Sequence, residues 1–175
     1  MSGIITKNVG ATVWIPSESE WYKAAYYDPN KGGAGVGGYW LHANQSDTMT
    51  TNDIGATGAA NHYDANGYAT YTGGTSWGIT DVGAYGMISD SAYGTNDQAG
   101  NVWEWNDAVI SGSSRGRRGG SWNGSGNGLA VSYRFVLDPS GEGSNLGFRV
   151  ASVPEPSCLV LTMLASGVML LRRKR

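Results

Sequence analysis

Apolar positions recur at helical spacing in one stretch of the first 152 residues. Trp21, Ala24, Ala25 and Asp28 fall on one helix face, a spacing that predicts an amphipathic helix. Ser17 and Glu20 stand ahead of it at capping-box spacing, where hydroxyl and carboxylate each satisfy one free amide of the first turn. Pro29 predicts the stop, so the helix runs for about three turns. From residue 30 to residue 100 the pattern changes to Gly, Asn, Asp, Ser and Thr, which favour turns. Tyr39, Trp40, Tyr63, Tyr68, Tyr71, Trp77, Tyr85 and Tyr93 punctuate them, predicting short strands and loops pinned to a small core by rings. Asp97-Gln98-Ala99-Gly100-Asn101-Val102-Trp103-Glu104-Trp105 is the densest run. As a strand it puts Trp103 and Trp105 on one face, with Val102 and Glu104 on the other. A basic segment follows, Arg115-Gly116-Arg117-Arg118-Gly119-Gly120-Ser121-Trp122, and the body closes with Ser132-Tyr133-Arg134-Phe135 and Asn145 to Ala151.

Composition sharpens this picture. Glycine contributes 28 of 175 residues, and Phe is outnumbered by ten Tyr and seven Trp. Long helices and bundles are poor solutions for such a chain, because each helical glycine costs about 1 kcal/mol. Disorder is equally poor, since so many rings are too much apolar surface to leave wet. Four of the twelve basic residues are Arg172, Arg173, Lys174 and Arg175; the remainder carries eight basic against fourteen acidic groups. An acidic body without a basic stripe argues against nucleic acid as a partner.

The single cysteine, Cys158, lies in the C-terminal apolar run. An intramolecular disulfide and a cysteine-based zinc site are therefore excluded by count. His42 and His62 are too few for a three-histidine metal centre and read as loop hydrogen-bonders. Arg115, Arg117, Arg118, Arg134 and Arg149 read as arginines that satisfy loop carbonyls, which a fold poor in regular structure needs; an anion-binding groove is the sharper alternative.

Three segments in order resemble the sulfatase-modifying factor family, whose type member is the formylglycine-generating enzyme. Ile15-Pro16-Ser17-Glu18-Ser19-Glu20-Trp21 is similar to its "RLPTEAEW" helix start, and Gly100-Asn101-Val102-Trp103-Glu104-Trp105 is identical to its "GNVWEW" run. Arg118-Gly119-Gly120-Ser121-Trp122, with Tyr133-Arg134 and Gly147-Phe148-Arg149, resembles its closing "RGGSW…R…GFR" signature. The resemblance spans residues 11–151 and implies an α+β, C-type-lectin-like fold with little regular secondary structure. Complete domains of the family begin well upstream of this helix, so it also implies that this chain carries a partial domain, through a mis-called start or a degraded gene.

Family members that make formylglycine hold copper(I) between two cysteines. Soft thiolates suit that ion, and amides and hydroxyls do not. Those positions fall near Gly124 and Leu129 here, so no copper site is evident. Relatives that use iron draw histidine ligands from a helical domain absent from this sequence, so no iron site is evident either. The resemblance does imply a calcium site: the Asp97 and Glu104 carboxylates with the Gly100 and Val102 carbonyls, a mixture of oxygens that suits Ca²⁺. The alternative is that Glu104 pairs with an arginine such as Arg118 or Arg134. A second family calcium site would begin at Ala60-Asn61.

The tail is similar to a second pattern, the PEP-CTERM sorting signal. Val153-Pro154-Glu155-Pro156 precedes fourteen uncharged residues, Cys158 to Leu171, and then the basic cluster. Fourteen is short of the usual span of about 20, but flanking arginines can snorkel. The expectation is a domain over residues 1–152 and a sorting tail over 153–175, with a transmembrane helix and an exosortase as partner. A protein so marked is exported to the membrane or cell surface, although no secretion signal precedes Ala11. The first reading is therefore a non-catalytic, calcium-stabilised surface protein; the rivals are an oxidoreductase of the same family and a lectin-like module for a glycan or peptide ligand.

Overall fold

The computed structural model describes residues 7–48, 51–64 and 78–153. The first strand, β1 (Val13–Trp14), leads into the helix α1 (Glu18–Tyr26). The capping box forms as its spacing requires: the Glu20 amide donates to Ser17 Oγ at 3.2 Å, and the Ser17 amide donates to Glu20 Oε2 at 2.8 Å. Hydrogen bonds from Lys7, Ser17 and Trp14 outweigh the opposing effect of partial burial and hold the Glu20 carboxyl down at about 2. The helix stops two residues before the expected place. Tyr27 is already extended, because Tyr27–Asp28 (β2) pairs antiparallel with Gly38–Tyr39 (β3). Strand pairing ends this helix, and Pro29 follows the stop.

The remaining strands are β4 (Trp103–Ser111), β5 (Ser114–Arg118), β6 (Phe135–Leu137), β7 (Leu146–Phe148) and β8 (Ala151–Ser152). They form a four-stranded sheet in the order β6-β5-β4-β7, while β8 returns to pair with β1. The β4–β7 pair is parallel and the others antiparallel. With one α-helix among the described residues, the molecule is a small α+β fold rich in loops.

The expected alternation along β4 is present. Glu104 is buried against Trp21 of α1 and Trp105 is half-open; beyond a register shift after Trp105, Asn106 and Ala108 are buried and Asp107 and Val109 half-open. The core packs Trp21, Ala25 and Tyr26 of α1 against Ala43, Ala60, Ala99 and Leu129. Trp21 and Tyr26 meet edge to face, 5.9 Å apart at 67°. Alanine and glycine neighbours let these large rings fill the interior. Gly120 adopts φ +77°, and a Cβ there would lie 2.7 Å from Leu129 Cδ1, so only glycine fits.

The rings expected to pin the loops divide into two groups. Tyr85 is buried and Trp40 half-buried, whereas Tyr39, Tyr63 and Tyr93 are exposed; Tyr68, Tyr71 and Trp77 lie outside the described residues. No helix among the described residues is long and apolar enough to cross a membrane. The apolar run at 158–171 and the sorting-motif residues Pro154, Glu155 and Pro156 lie outside the described residues. Val153 is described: its amide donates to the Thr12 carbonyl at 3.1 Å, extending the β1–β8 ladder by one bond.

Candidate functional site

Two carboxylates organise the motif residues. Glu104, 6% exposed, accepts from Arg149 at both oxygens, 2.5 Å from Nε and 2.6 Å from Nη2. The Trp21 indole N–H donates to Glu104 Oε2 at 2.6 Å. Arg149 Nη2 also reaches the Asn96 carbonyl at 3.0 Å. One node thus ties α1, β4, the loop before β4 and the strand end after β7. A bidentate pair of this kind is directional as well as strong.

Glu18 forms the second node. Its Oε1 accepts from Arg118 Nε and from Arg134 Nε, each at 2.7 Å. Arg118 is 7% exposed and donates further to the carbonyls of Val131 and Tyr133. The alternative reading of Glu104, a pair with an arginine such as Arg118 or Arg134, holds in kind but with a different arginine. Arg118 stands directly opposite Glu104 in the β4–β5 register, yet its guanidinium turns to Glu18, and Arg149 takes Glu104. Glu18 carried no role in the sequence beyond the helix start.

These contacts bear on calcium. Asp97 sits at φ +56° and accepts from the Gly83 amide at 2.8 Å through Oδ2. Burial, reinforced by the charge of Asp90, pushes its carboxyl above the usual range despite that bond and the pull of Arg149. Both Glu104 oxygens are already engaged. A guanidinium stands against the carboxylate that was expected to face Ca²⁺, so the set Asp97, Gly100, Val102 and Glu104 does not fit a calcium ion as arranged. At the second place, Asn61 donates to the Gly78 carbonyl and to Asn101 Oδ1, and its buried Oδ1 has no hydrogen-bond partner. No group of three or more His, Cys, Asp or Glu that could hold a metal occurs among the described residues. His42 and His62 are both buried. Burial, then the neighbouring His62, lowers the His42 pKa, against the opposing pull of Asp47.

The positions that correspond to copper-binding thiols have other duties. Gly124 is tied by backbone alone, its amide donating to the Ser121 carbonyl and its carbonyl accepting from Tyr63. Leu129 is fully buried, and its carbonyl accepts from the Tyr26 hydroxyl at 3.3 Å.

The open face of the sheet carries what the nodes leave over. Arg117 lies 4.5 Å over the Phe135 ring and 5.3 Å from that of Trp103. Beside this cluster runs a groove of about 540 Å³ between β1 and the β4–β5 hairpin, walled by Trp14 and Trp105. Sequence reasoning missed it, because its walls come from segments some 90 residues apart whose pairing no local pattern announces.

The chain's sequence matches the family described as "Sulfatase-modifying factor enzyme 1-like domain" over residues 6–153. Among solved structures it is similar to "Treponema denticola variable protein 1", with 30% identity, a TM-score of 0.51, and coverage of 81% of this chain and 48% of that one. It shares its fold with "CarF" (22% identity, TM-score 0.51, 85% and 50% covered). The same holds for PvdO from Pseudomonas aeruginosa (22%, TM-score 0.51, 81% and 53%). The chain spans about half the length of these structures. Among curated proteins, none matches the sequence.

Proposed function

Because the chain belongs to the family of sulfatase-modifying factor enzyme 1-like domains, we propose that it serves as a non-catalytic member, a scaffold displayed at the membrane or cell surface. Leu129 carries this reading. Where a thiolate would be needed, the chain places a fully buried leucine in contact with the main core. Copper(I) chemistry needs soft sulfur ligands, and the sequence's one cysteine, Cys158, stands 29 positions further on, in the tail. The nodes at Glu18 and Glu104 are engaged with arginines and leave no carboxylate free to act as a base there.

Surface display rests on the tail. The domain hands over to Val153 at the end of the β1–β8 ladder, and the sequence continues as Pro154-Glu155-Pro156, an uncharged run and a basic end. That order suits an exosortase as the processing partner and a membrane as the anchor.

An oxygen electrode tests the absence of catalysis. The full chain supplied with copper(I) and a cysteine-containing peptide is expected to consume oxygen no faster than copper and peptide alone. Protein-dependent oxygen uptake with conversion of the peptide cysteine would overturn the reading.

A further inference from the structure

The groove beside the sheet contains polar groups that the fold does not use. Asn106 is 2% exposed; its Oδ1 accepts from the Ala108 amide at 3.1 Å, but its Nδ2 has no partner. Gly116 opposite is what leaves room for it, since a Cβ there would lie 2.7 Å from Asn106 Oδ1. Arg115 Nη1 is likewise buried without a partner, and Arg115 makes no ion pair among the described residues. Asp107 completes the set. Its backbone amide is fixed to the Pro16 carbonyl at 3.1 Å, and its carboxylate lies by the Glu18 amide at the start of α1. All three line the groove together with Trp14 and Trp105.

A buried donor without an acceptor costs about 1–3 kcal/mol, so two such donors lining one open groove are fitted for a ligand. Its chemistry can be read from the walls. Donors (Asn106, Arg115) and an acceptor (Asp107) lie together, which suits hydroxyl groups that both give and accept hydrogen bonds. The half-open Trp105 indole offers a flat apolar surface of the kind that takes the C–H face of a ring. Charge is balanced: Lys7 is neutralised by Glu20 at 2.7 Å, and Arg115 faces the same groove as Asp107. An anionic ligand would meet Asp107, and a cationic one Arg115. The volume of about 540 Å³ falls within the range of small-molecule sites, about 300–1,000 Å³.

We propose that this groove is a binding site for a neutral oligosaccharide, with Asn106, Arg115 and Asp107 as the polar contacts and Trp105 as the stacking surface. None of the groove's lining residues belongs to the Gly124–Leu129 segment, so binding here and oxygen chemistry there succeed or fail separately.

Calorimetric titration of the full chain with maltohexaose, cellohexaose, mannohexaose, hexagalacturonate and hexaglutamate, with tryptophan fluorescence read in parallel, provides the test. At least one neutral hexasaccharide is expected to bind and to change the emission. Arg115→Gln and Asp107→Asn are each expected to weaken that binding about tenfold, the equivalent of 1.4 kcal/mol. Asp107→Asn keeps side-chain size and an oxygen acceptor, and Arg115→Gln breaks no ion pair among the described residues, so the thermal midpoint is expected to stay put. Three results would each overturn the proposal: no neutral hexasaccharide binding at millimolar concentration, binding indifferent to both substitutions, or preference for the uronate or the acidic peptide.

Discussion

Glu104→Ala is expected to lower the stability of the domain by about 3–5 kcal/mol, the usual cost of removing one partner from a buried ion pair. The substitution strands the Arg149 guanidinium and the Trp21 indole N–H, both of which lose their acceptor. Against a total of about 5–15 kcal/mol for a domain, that loss is large enough to show in any denaturant titration. Arg149→Met is expected to cost about as much, because it leaves the carboxylate buried without its cation. The double variant Glu104→Leu, Arg149→Met is expected to be less destabilised than the sum of the two singles, since neither charge is then left alone. Losses under about 1 kcal/mol, or full additivity, would mean that solvent compensates the node.

Leu129→Ala is the second large effect. The side chain is fully buried and packs in the same cluster as Trp21 and Tyr26. Gly120 approaches it so closely that a methyl group there would clash. A site so tightly enclosed by backbone has little room to collapse around a lost side chain, so the expected cost is at the upper end of the roughly 2–5 kcal/mol range for such truncations. Urea unfolding of the variant against the parent chain checks the figure. Leu129→Cys is expected to fall between them, and its thiol is expected to resist thiol-reactive dyes in the native state. A cost near zero, or a freely reactive thiol, would place residue 129 at the surface and remove the main objection to catalysis.

Local features were the most legible in the sequence. The capping box at Ser17 and Glu20 is decided within four residues, and it forms as read. The alternation that sends Trp105 outward and Glu104 inward is fixed by the strand's period of two, and it holds as well. The end of α1 was misread, because pairing between Tyr27–Asp28 and Gly38–Tyr39 competes with the last helical turn, a contact that depends on where the chain returns. The choice of Arg149 for Glu104 was hidden for a related reason. Register alone favours Arg118, but Glu18 lies within reach of that guanidinium once α1 has docked. Glu18 itself was overlooked, although its place one residue past the cap, at the foot of the helix facing the sheet, was the available signal. The groove's chemistry stayed invisible because Asn106 and Asp107 look like ordinary strand residues, and Arg115 like one more arginine of a basic run, until β1 closes the far wall.

The architecture that emerges uses its signature residues as ties. Glu18 and Glu104 collect three arginines between them, and those arginines bind together the helix, the sheet and the loops that lack ladders of their own. A positively charged side chain at Glu104 supplies what a bound cation would otherwise bring to such a loop-rich fold. Thermal unfolding of the full chain in calcium, repeated in excess EGTA, tests this most directly. The expected result is the same midpoint in both conditions, with Arg149 holding Glu104 throughout. A midpoint that drops on chelation and recovers when calcium is restored would contradict it, placing a divalent ion where the guanidinium now stands.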